Sequence, residues 1–382
     1  MQSFEKELRS LNHPGKVYCH AGIFTTISTL FDYSRILLVV SKNSKSRGTL
    51  LIVEELLGKR IVNTIADVEP NPSLNYLEKK ILENRNFKFD AILAIGGGSV
   101  IDSAKVFARF ANLENDNKLK HYLTEPDLLK FNAIPLVAVP TTSGTGSEVT
   151  PFATIWDFEE GRKYSLTGRD LIPAHVVLDP LLTVSLPKQV TITSGLDAIS
   201  HALESAWNKN ATQATKNLAF ASLKLSIKNL AKITQNLDCL ESRIYLQKAS
   251  FLAGLAISVT QTGLAHSISY PLTTDYKMPH GIACSFTLPE IFKFNLKSSD
   301  FSINELLNSL DCAEPMDIYN LLISLFNVVE LPKLFKKYVK QKEKVFVLSE
   351  KMLNPERSEN NILPISQIDL SEILNLSLDF VY

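Results

Sequence analysis

Asp90-Ala91-Ile92-Leu93-Ala94-Ile95 runs straight into Gly96-Gly97-Gly98-Ser99 and then into Val100-Ile101-Asp102-Ser103-Ala104-Lys105-Val106. The first six residues are a short apolar run of the kind that forms a strand buried on both faces of a parallel sheet. The last seven open a helix. Strand, glycine turn and helix together aim free backbone N–H groups and a helix N-terminus at one point, which suits a phosphate. Glycine belongs there because a Cβ would hold a pyrophosphate off the backbone. The spacing is not G-x-G-x-x-G, so the usual dinucleotide fingerprint is absent. A tight connection alone would also use such a turn.

The flanking sequence repeats the arrangement. Residues 35–40 (Arg-Ile-Leu-Leu-Val-Val) read as a buried strand, 50–57 as a helix, 60–66 as a strand and 74–83 as a helix. Ala133 to Pro140 is a further apolar strand, and it ends in Thr141-Thr142-Ser143-Gly144-Thr145-Gly146-Ser147-Glu148. Hydroxyls and glycines at a strand's carboxyl end are apt for ribose and phosphate, and ligands of open α/β sheets bind at that edge. Strands alternating with helices predict a doubly wound parallel sheet.

After residue 187 the character changes. Helical periodicity dominates 211–233 and 242–257, and β-branched runs fade. We expect an α/β dinucleotide-binding domain over 1–187 and an all-helical domain over 188–382, with reaction in the cleft between them. The helical part contains Thr193-Ser194-Gly195-Leu196-Asp197-Ala198-Ile199-Ser200-His201-Ala202-Leu203-Glu204, which reads as a helix opening with Ser or Thr as its cap. Asp197 and His201 are four apart and share a face. A buried Asp–His hydrogen bond would explain that pair alone. Two more histidines, His266 and His280, follow in Gly- and Pro-punctuated apolar surroundings. One carboxylate and three imidazoles suit a divalent ion, Fe²⁺ or Zn²⁺, with room for a substrate oxygen.

The chain has 382 residues, 45% hydrophobic and 21% charged, with 40 basic and 40 acidic side chains. Two domains are the expectation at this length. The balanced charge gives no reason to expect nucleic acid or an anionic membrane as a partner. Cys19, Cys239, Cys284 and Cys312 form no C-x-x-C pair and read as reduced buried thiols of a cytoplasmic protein. The charged start, Met1 to Glu7, lacks the apolar core of a signal peptide. Residues 355–361 are polar and read as a surface turn; 371–379 read as a terminal helix.

Taken together the motifs resemble the iron-containing, group III alcohol dehydrogenases over nearly the whole chain. They comprise Pro70-Asn71-Pro72, Gly96 to Ser99 with Asp102 and Lys105, Pro140 to Glu148, Asp179-Pro180 with Thr183, Ser185 to Pro187, Gly195 to Glu204, His266, His280-Gly281 and Asn354-Pro355. The resemblance implies a Rossmann-like domain followed by a helical domain, the fold shared with dehydroquinate synthase-like enzymes. It implies an NAD(P)-linked oxidoreductase acting on a small aldehyde or alcohol, in a homodimer or larger homo-oligomer. By position it implies Asp197, His201, His266 and His280 as metal ligands, with Gly97, Gly98 and Ser99 at the pyrophosphate. Asp102, Thr141, Thr142 and Lys163 fall on nucleotide contacts, and Leu182 and Thr183 on the nicotinamide end.

Two positions depart from the family. Where it often carries an acidic residue for the adenosine ribose, this chain has Lys42. A lysine could pair with a 2′-phosphate, which tilts the expectation toward NADP, although a solvated turn lysine reads the same way. Where many members carry a second histidine after the first, this chain has Tyr270. Its phenol suits packing or orientation better than acid catalysis. The run Ser269 to Thr273 is similar to the branch that reduces phosphonoacetaldehyde to 2-hydroxyethylphosphonate. A metal-dependent lyase of the dehydroquinate synthase-like type, or a binding protein with a decayed site, are the other classes considered.

Overall fold

The structure is a computed structural model that describes residues 14–111, 119–125 and 132–382. Six strands form one parallel sheet: β1 (Lys16–Cys19), β2 (Ile36–Ser41), β3 (Ile61–Val68), β4 (Ala91–Gly96), β5 (Leu136–Pro140) and β8 (His175–Leu178), in the order β1-β8-β5-β4-β2-β3. Helices α1 (Thr49–Leu57), α2 (Leu74–Asn84) and α3 (Gly98–Phe110) cross between strands. Ile36 to Val40 and all of β4 and β5 are buried. The reason is the two-residue period of a strand between two helical layers. Leu37, Val39, Ile92 and Ala94 enter one core with α3, while Leu38, Val40, Leu93 and Ile95 enter a second on the opposite face. Strands with two buried faces read as continuous apolar runs, which is why they were visible in the sequence.

From β2 the chain steps to β3 on one side, and from β4 it steps to β5 and β8 on the other. The direction reverses between β2 and β4, so their carboxyl ends, Ser41 and Gly96, flank the crevice where such sheets bind ligands. The sequence reading did not include β6 (Phe152–Asp157) and β7 (Arg162–Thr167), an antiparallel hairpin outside the main sheet. Its signal was the alternation that sends Ala153, Ile155, Tyr164 and Leu166 into the core.

The helical unit contains α4 (Lys188–Ala206), α5 (Gln213–Ile233), α6 (Leu240–Thr260), α7 (Leu264–Tyr276), α8 (His280–Ala283), α9 (Leu288–Asn295), α10 (Pro315–Val328) and α11 (Gln367–Val381). Leu196, Ile199, Leu203, Leu223, Leu230 and Leu246 are shared in its core. Contacts divide the chain into one unit reaching to Thr142 and resuming over Ser147–Ser185, and a second made of Ser143–Gly146 and Leu186–Tyr382. The loop after β5 therefore lends four residues to the helical unit. Among the described residues no single helix is long and apolar enough to cross a membrane.

Three expectations need correction. Helix α4 starts at Lys188 behind Pro187, so Thr193 and Ser194 are interior. Their hydroxyls bond back to Val190 O at 3.2 and 2.9 Å instead of capping an end. Pro187 at the N-cap has a pre-set φ and no side-chain acceptor, so the helix enters without a hydroxyl cap. Residues 355–361 are a surface turn only in part: Pro355, Glu356 and Glu359 are exposed, but Pro355–Ser358 is a short helix. Asn360 and Asn361 are buried, donating to Thr262 O at 2.8 Å and Asn295 Oδ1 at 2.8 Å. Buried amides with satisfied bonds look like surface composition in a sequence. None of the four cysteines forms a disulfide, and only Cys284 is fully buried.

Lys105 on α3 is fully buried and organises the segment after β5. Its ammonium donates to Thr150 O (2.8 Å), Thr150 Oγ1 (3.1 Å) and Phe152 O (2.8 Å). Burial pulls it down to about 8, against the attraction of Asp102 and Glu148. Removing one member of such a group leaves buried carbonyls and carboxylates uncompensated. Lys105→Met is expected to cost about 3–5 kcal/mol of unfolding free energy, read as a lower denaturant midpoint. A midpoint equal to the wild type's would show that the ammonium is not structural.

Candidate functional site

Helix α4 presents Asp197, His201 and Glu204 at i, i+4 and i+7, one face of the helix. His266 comes from the first turn of α7, and His280 opens α8. Gly281 makes the last approach possible. A Cβ there would lie 1.8 Å from Thr193 O on α4, so only glycine lets α8 press its backbone onto that helix and bring His280 alongside Asp197.

The three imidazoles converge on one oxygen. His201 Nε2 and His266 Nε2 are each 3.6 Å from Asp197 Oδ1, and His280 Nε2 is 3.9 Å from it. Ligands at about 2.0–2.1 Å from a tetrahedral ion stand about 3.4 Å apart, so these separations match donors around one cation. Two of the other ring nitrogens, those of His266 and His201, are held from behind. His266 Nδ1 lies 2.5 Å from Glu204 Oε2, and Glu204 also accepts from Gly263 N (2.9 Å) and His266 N (3.1 Å). His201 Nδ1 faces Gly144 O at 3.3 Å. A proton on each Nδ1 leaves the Nε2 lone pairs aimed at the shared point. His266 Nε2 is buried and has no hydrogen-bond partner among the described residues.

Charge agrees with geometry. Burial alone would raise the Asp197 carboxyl, but the His201, His280 and His266 imidazoles outweigh it and hold the group well below the usual carboxylate range. Glu204 is likewise lowered despite its burial, by His266 and the backbone N–H groups of Gly263 and His266. Burial pushes His201 down to about 4. His266 rises to about 9, because Glu204 and Asp197 outweigh its burial. An imidazolium at His266 balances only one of the two buried carboxylates, and a divalent ion taking the place of its Nε2 proton would balance both. The side chains of Asp197, His201, His266 and Glu204 are at most 6% exposed, whereas His280 is 25% exposed. The cluster is thus open on the His280 side, as catalytic metal sites are and closed structural sites are not. The residues present fit a bound divalent metal.

Glu204, Gly144 and Cys284 were not singled out in the sequence. Glu204 had a signal, since it shares the α4 face of Asp197 and His201. Gly144 acts through its carbonyl, which no residue type announces. Cys284 stands four residues beyond His280, and its Sγ is 3.5 Å from Asp197 Oδ1. Tyr270 is half-buried on α7, one turn beyond His266.

The glycine turn lies at the carboxyl end of β4. Gly97 stands at the N-cap of α3, no side chain caps that helix, and Gly98 and Ser99 form its first turn. Its leading N–H groups have no intrahelical acceptors. A Cβ on Gly97 would come within 3.1 Å of Thr142 Oγ1. Thr141 N bonds Gly96 O at 2.9 Å, and Ser99 Oγ accepts from Asn71 N at 3.0 Å. These features fit a pyrophosphate. Asp102 braces the surroundings, its oxygens accepting from Ser147 Oγ and from Thr154 N at 3.0 Å. Lys163 on β7 is half-buried and favours the Asp102 charge. Leu182 and Thr183 lie in the short helix Leu181–Val184. The Thr183 hydroxyl is buried and donates to Pro180 O at 2.8 Å. Lys42 follows β2, is exposed, and pairs with Glu69 at 2.9 Å.

Comparison with known proteins agrees with both halves. The family model for iron-containing alcohol dehydrogenase matches residues 14–180, and that for the C-terminal part of the Fe-containing alcohol dehydrogenase family matches residues 191–378. Aldehyde-alcohol dehydrogenase 2 of Entamoeba histolytica is 34% identical over 294 residues, which cover 74% of this chain and 34% of that protein. The chain thus spans about a third of that relative's length. Phosphonoacetaldehyde reductase of Streptomyces viridochromogenes is 34% identical over 235 residues, 60% of this chain and 57% of that one. Among solved structures, sulfoacetaldehyde reductase from Bifidobacterium kashiwanohense in complex with NAD⁺ superposes with a TM-score of 0.86 at 23% identity, covering 95% of this chain and 97% of that one. At that identity the likeness speaks for the fold alone.

Orientation of His266 by Glu204 is testable. Glu204→Gln keeps the shape but loses the charge and one acceptor, and is expected to weaken metal affinity about 10- to 100-fold. Competition against a chromophoric chelator measures this. Unchanged affinity would show that Glu204 only packs.

Proposed function

Since the chain belongs to the iron-containing alcohol dehydrogenase family, we propose that it is a metal-dependent, NAD(P)-linked alcohol dehydrogenase or aldehyde reductase. The observation that carries this reading is the convergence of three imidazole nitrogens on Asp197 Oδ1, open on the His280 side. Asp197, His201, His266 and His280 would hold the ion, and the turn Gly97–Ser99 the pyrophosphate. When bound, the metal supplies Lewis-acid polarisation of a carbonyl and the dinucleotide supplies the hydride.

The chain's own residues fix orientation and protonation. Glu204 and the Gly144 carbonyl hold His266 and His201 with their lone pairs forward. Burial of those groups excludes water from all but the His280 side, which strengthens the electrostatics within. Tyr270, half-buried one turn beyond His266, is assigned to packing or orientation and not to proton donation.

Lys42 changes the cofactor argument. Its ammonium is tied to Glu69, so a 2′-phosphate arriving there would meet a carboxylate as well as a lysine. We therefore favour NAD over the NADP that Lys42 alone suggested. For the substrate we propose a short aldehyde, with phosphonoacetaldehyde a leading candidate from the 34% identical reductase and the Ser269–Thr273 run.

Two outcomes are expected. The protein reconstituted with Fe²⁺ or Zn²⁺ should oxidise NADH on addition of a short aldehyde. His266→Ala and His280→Ala should each lose most of the bound metal by elemental analysis and most of the activity. Stoichiometric metal in both variants would remove the ligand assignment. Second, Glu69→Gln frees Lys42 and should raise kcat/KM for NADPH relative to NADH. An unchanged ratio would show that this pair does not read the ribose.

A further inference from the structure

We propose that Cys284 is a sulfur donor to the same ion, so that the centre is a mixed sulfur, nitrogen and oxygen site. The inference rests on the metal-site reading above. Cys284 N bonds His280 O at 2.9 Å, which places Cys284 one helical turn beyond His280 and on the same face. Its sulfur lies 3.5 Å from Asp197 Oδ1, as close as the nitrogens of His201 and His266 at 3.6 Å. The ligand atoms of Asp197, His266, His280 and Cys284 all fall within 4.8 Å of one another. His266 Nε2, buried and without a hydrogen-bond partner among the described residues, lies in this group, 3.6 Å from Asp197 Oδ1.

A buried thiol is often only a small apolar filler with a weak S–H donor. The 3.5 Å contacts of Cys284 Sγ with Ser200 Oγ and Asp197 Oδ1 are ones that a protonated thiol also makes as a donor. Filler does not require closeness to the oxygen on which three imidazoles converge, whereas a ligand does. On entry of a divalent ion the S–H bond is exchanged for a metal–sulfur bond, and the proton leaves to solvent. A sulfur donor shifts the preference of the site from Fe²⁺ toward softer or borderline ions such as Zn²⁺ and Co²⁺.

The test uses the full chain stripped of metal and titrated with Co²⁺, followed by absorption. The wild type is expected to show visible d–d bands together with a near-ultraviolet sulfur-to-cobalt charge-transfer band. Cys284→Ser should keep the d–d bands and lose the charge-transfer band, and its preference for Zn²⁺ over Fe²⁺ should fall. Cys284→Ala should do the same, which guards against a special effect of the serine hydroxyl. Bound cobalt without a charge-transfer band, or a band that survives both substitutions, would overturn the sulfur ligand and leave the metal centre standing. A wild type that binds no Co²⁺ at all would overturn both.

Discussion

A single carboxylate oxygen, Asp197 Oδ1, is the point about which the helical unit is arranged. Three imidazoles from three helices face it at 3.6 to 3.9 Å. Such a cluster is unfavourable in a protein interior unless its charge is balanced, because desolvation of Asp197 and Glu204 costs several kcal/mol per ion. A bound cation resolves this, and its binding free energy then becomes part of the stability of the fold. The tight seat of Gly281 on the backbone of α4 answers the same demand, since His280 reaches the group only if the two backbones touch.

The α/β unit solves a different problem with the same economy of residues. Its sheet reverses direction between β2 and β4, and the glycine turn sits at that reversal. Lys105, buried behind the turn, ties down Thr150 and Phe152 with all three of its donors. The segment after β5 is therefore held at Thr141 by Gly96 O and at Thr150 by Lys105. Between those anchors its Gly144 carbonyl bonds His201. One loop thus carries hydroxyls expected at a nucleotide and also fixes the tautomer of a proposed metal ligand.

Much of this was legible in the sequence, for physical reasons. Parallel strands buried on both faces are continuous apolar runs, so β2, β4 and β5 stood out, as did the amphipathic α5 and α6. His266 and His280 stood out because ionisable residues are rare in apolar surroundings. What stayed hidden depends on partners distant in sequence or on backbone atoms. Glu204 is an ordinary helix residue until its partner His266 is known. The Gly144 carbonyl and the close pass of Gly281 on Thr193 have no side chain to betray them. The pairing of Lys42 with Glu69 joins the ends of two neighbouring strands, and without it Lys42 looked like a free cation. The hairpin β6–β7 was missed because its polar edge reads as loop.

The most direct measurement is X-ray absorption at the metal edge of the reconstituted full chain. The account predicts nitrogen and oxygen scatterers at about 2.0–2.1 Å with the outer-shell scattering of three imidazoles, and a sulfur at about 2.3 Å from Cys284. A shell of oxygen alone, without imidazole scattering, would contradict it.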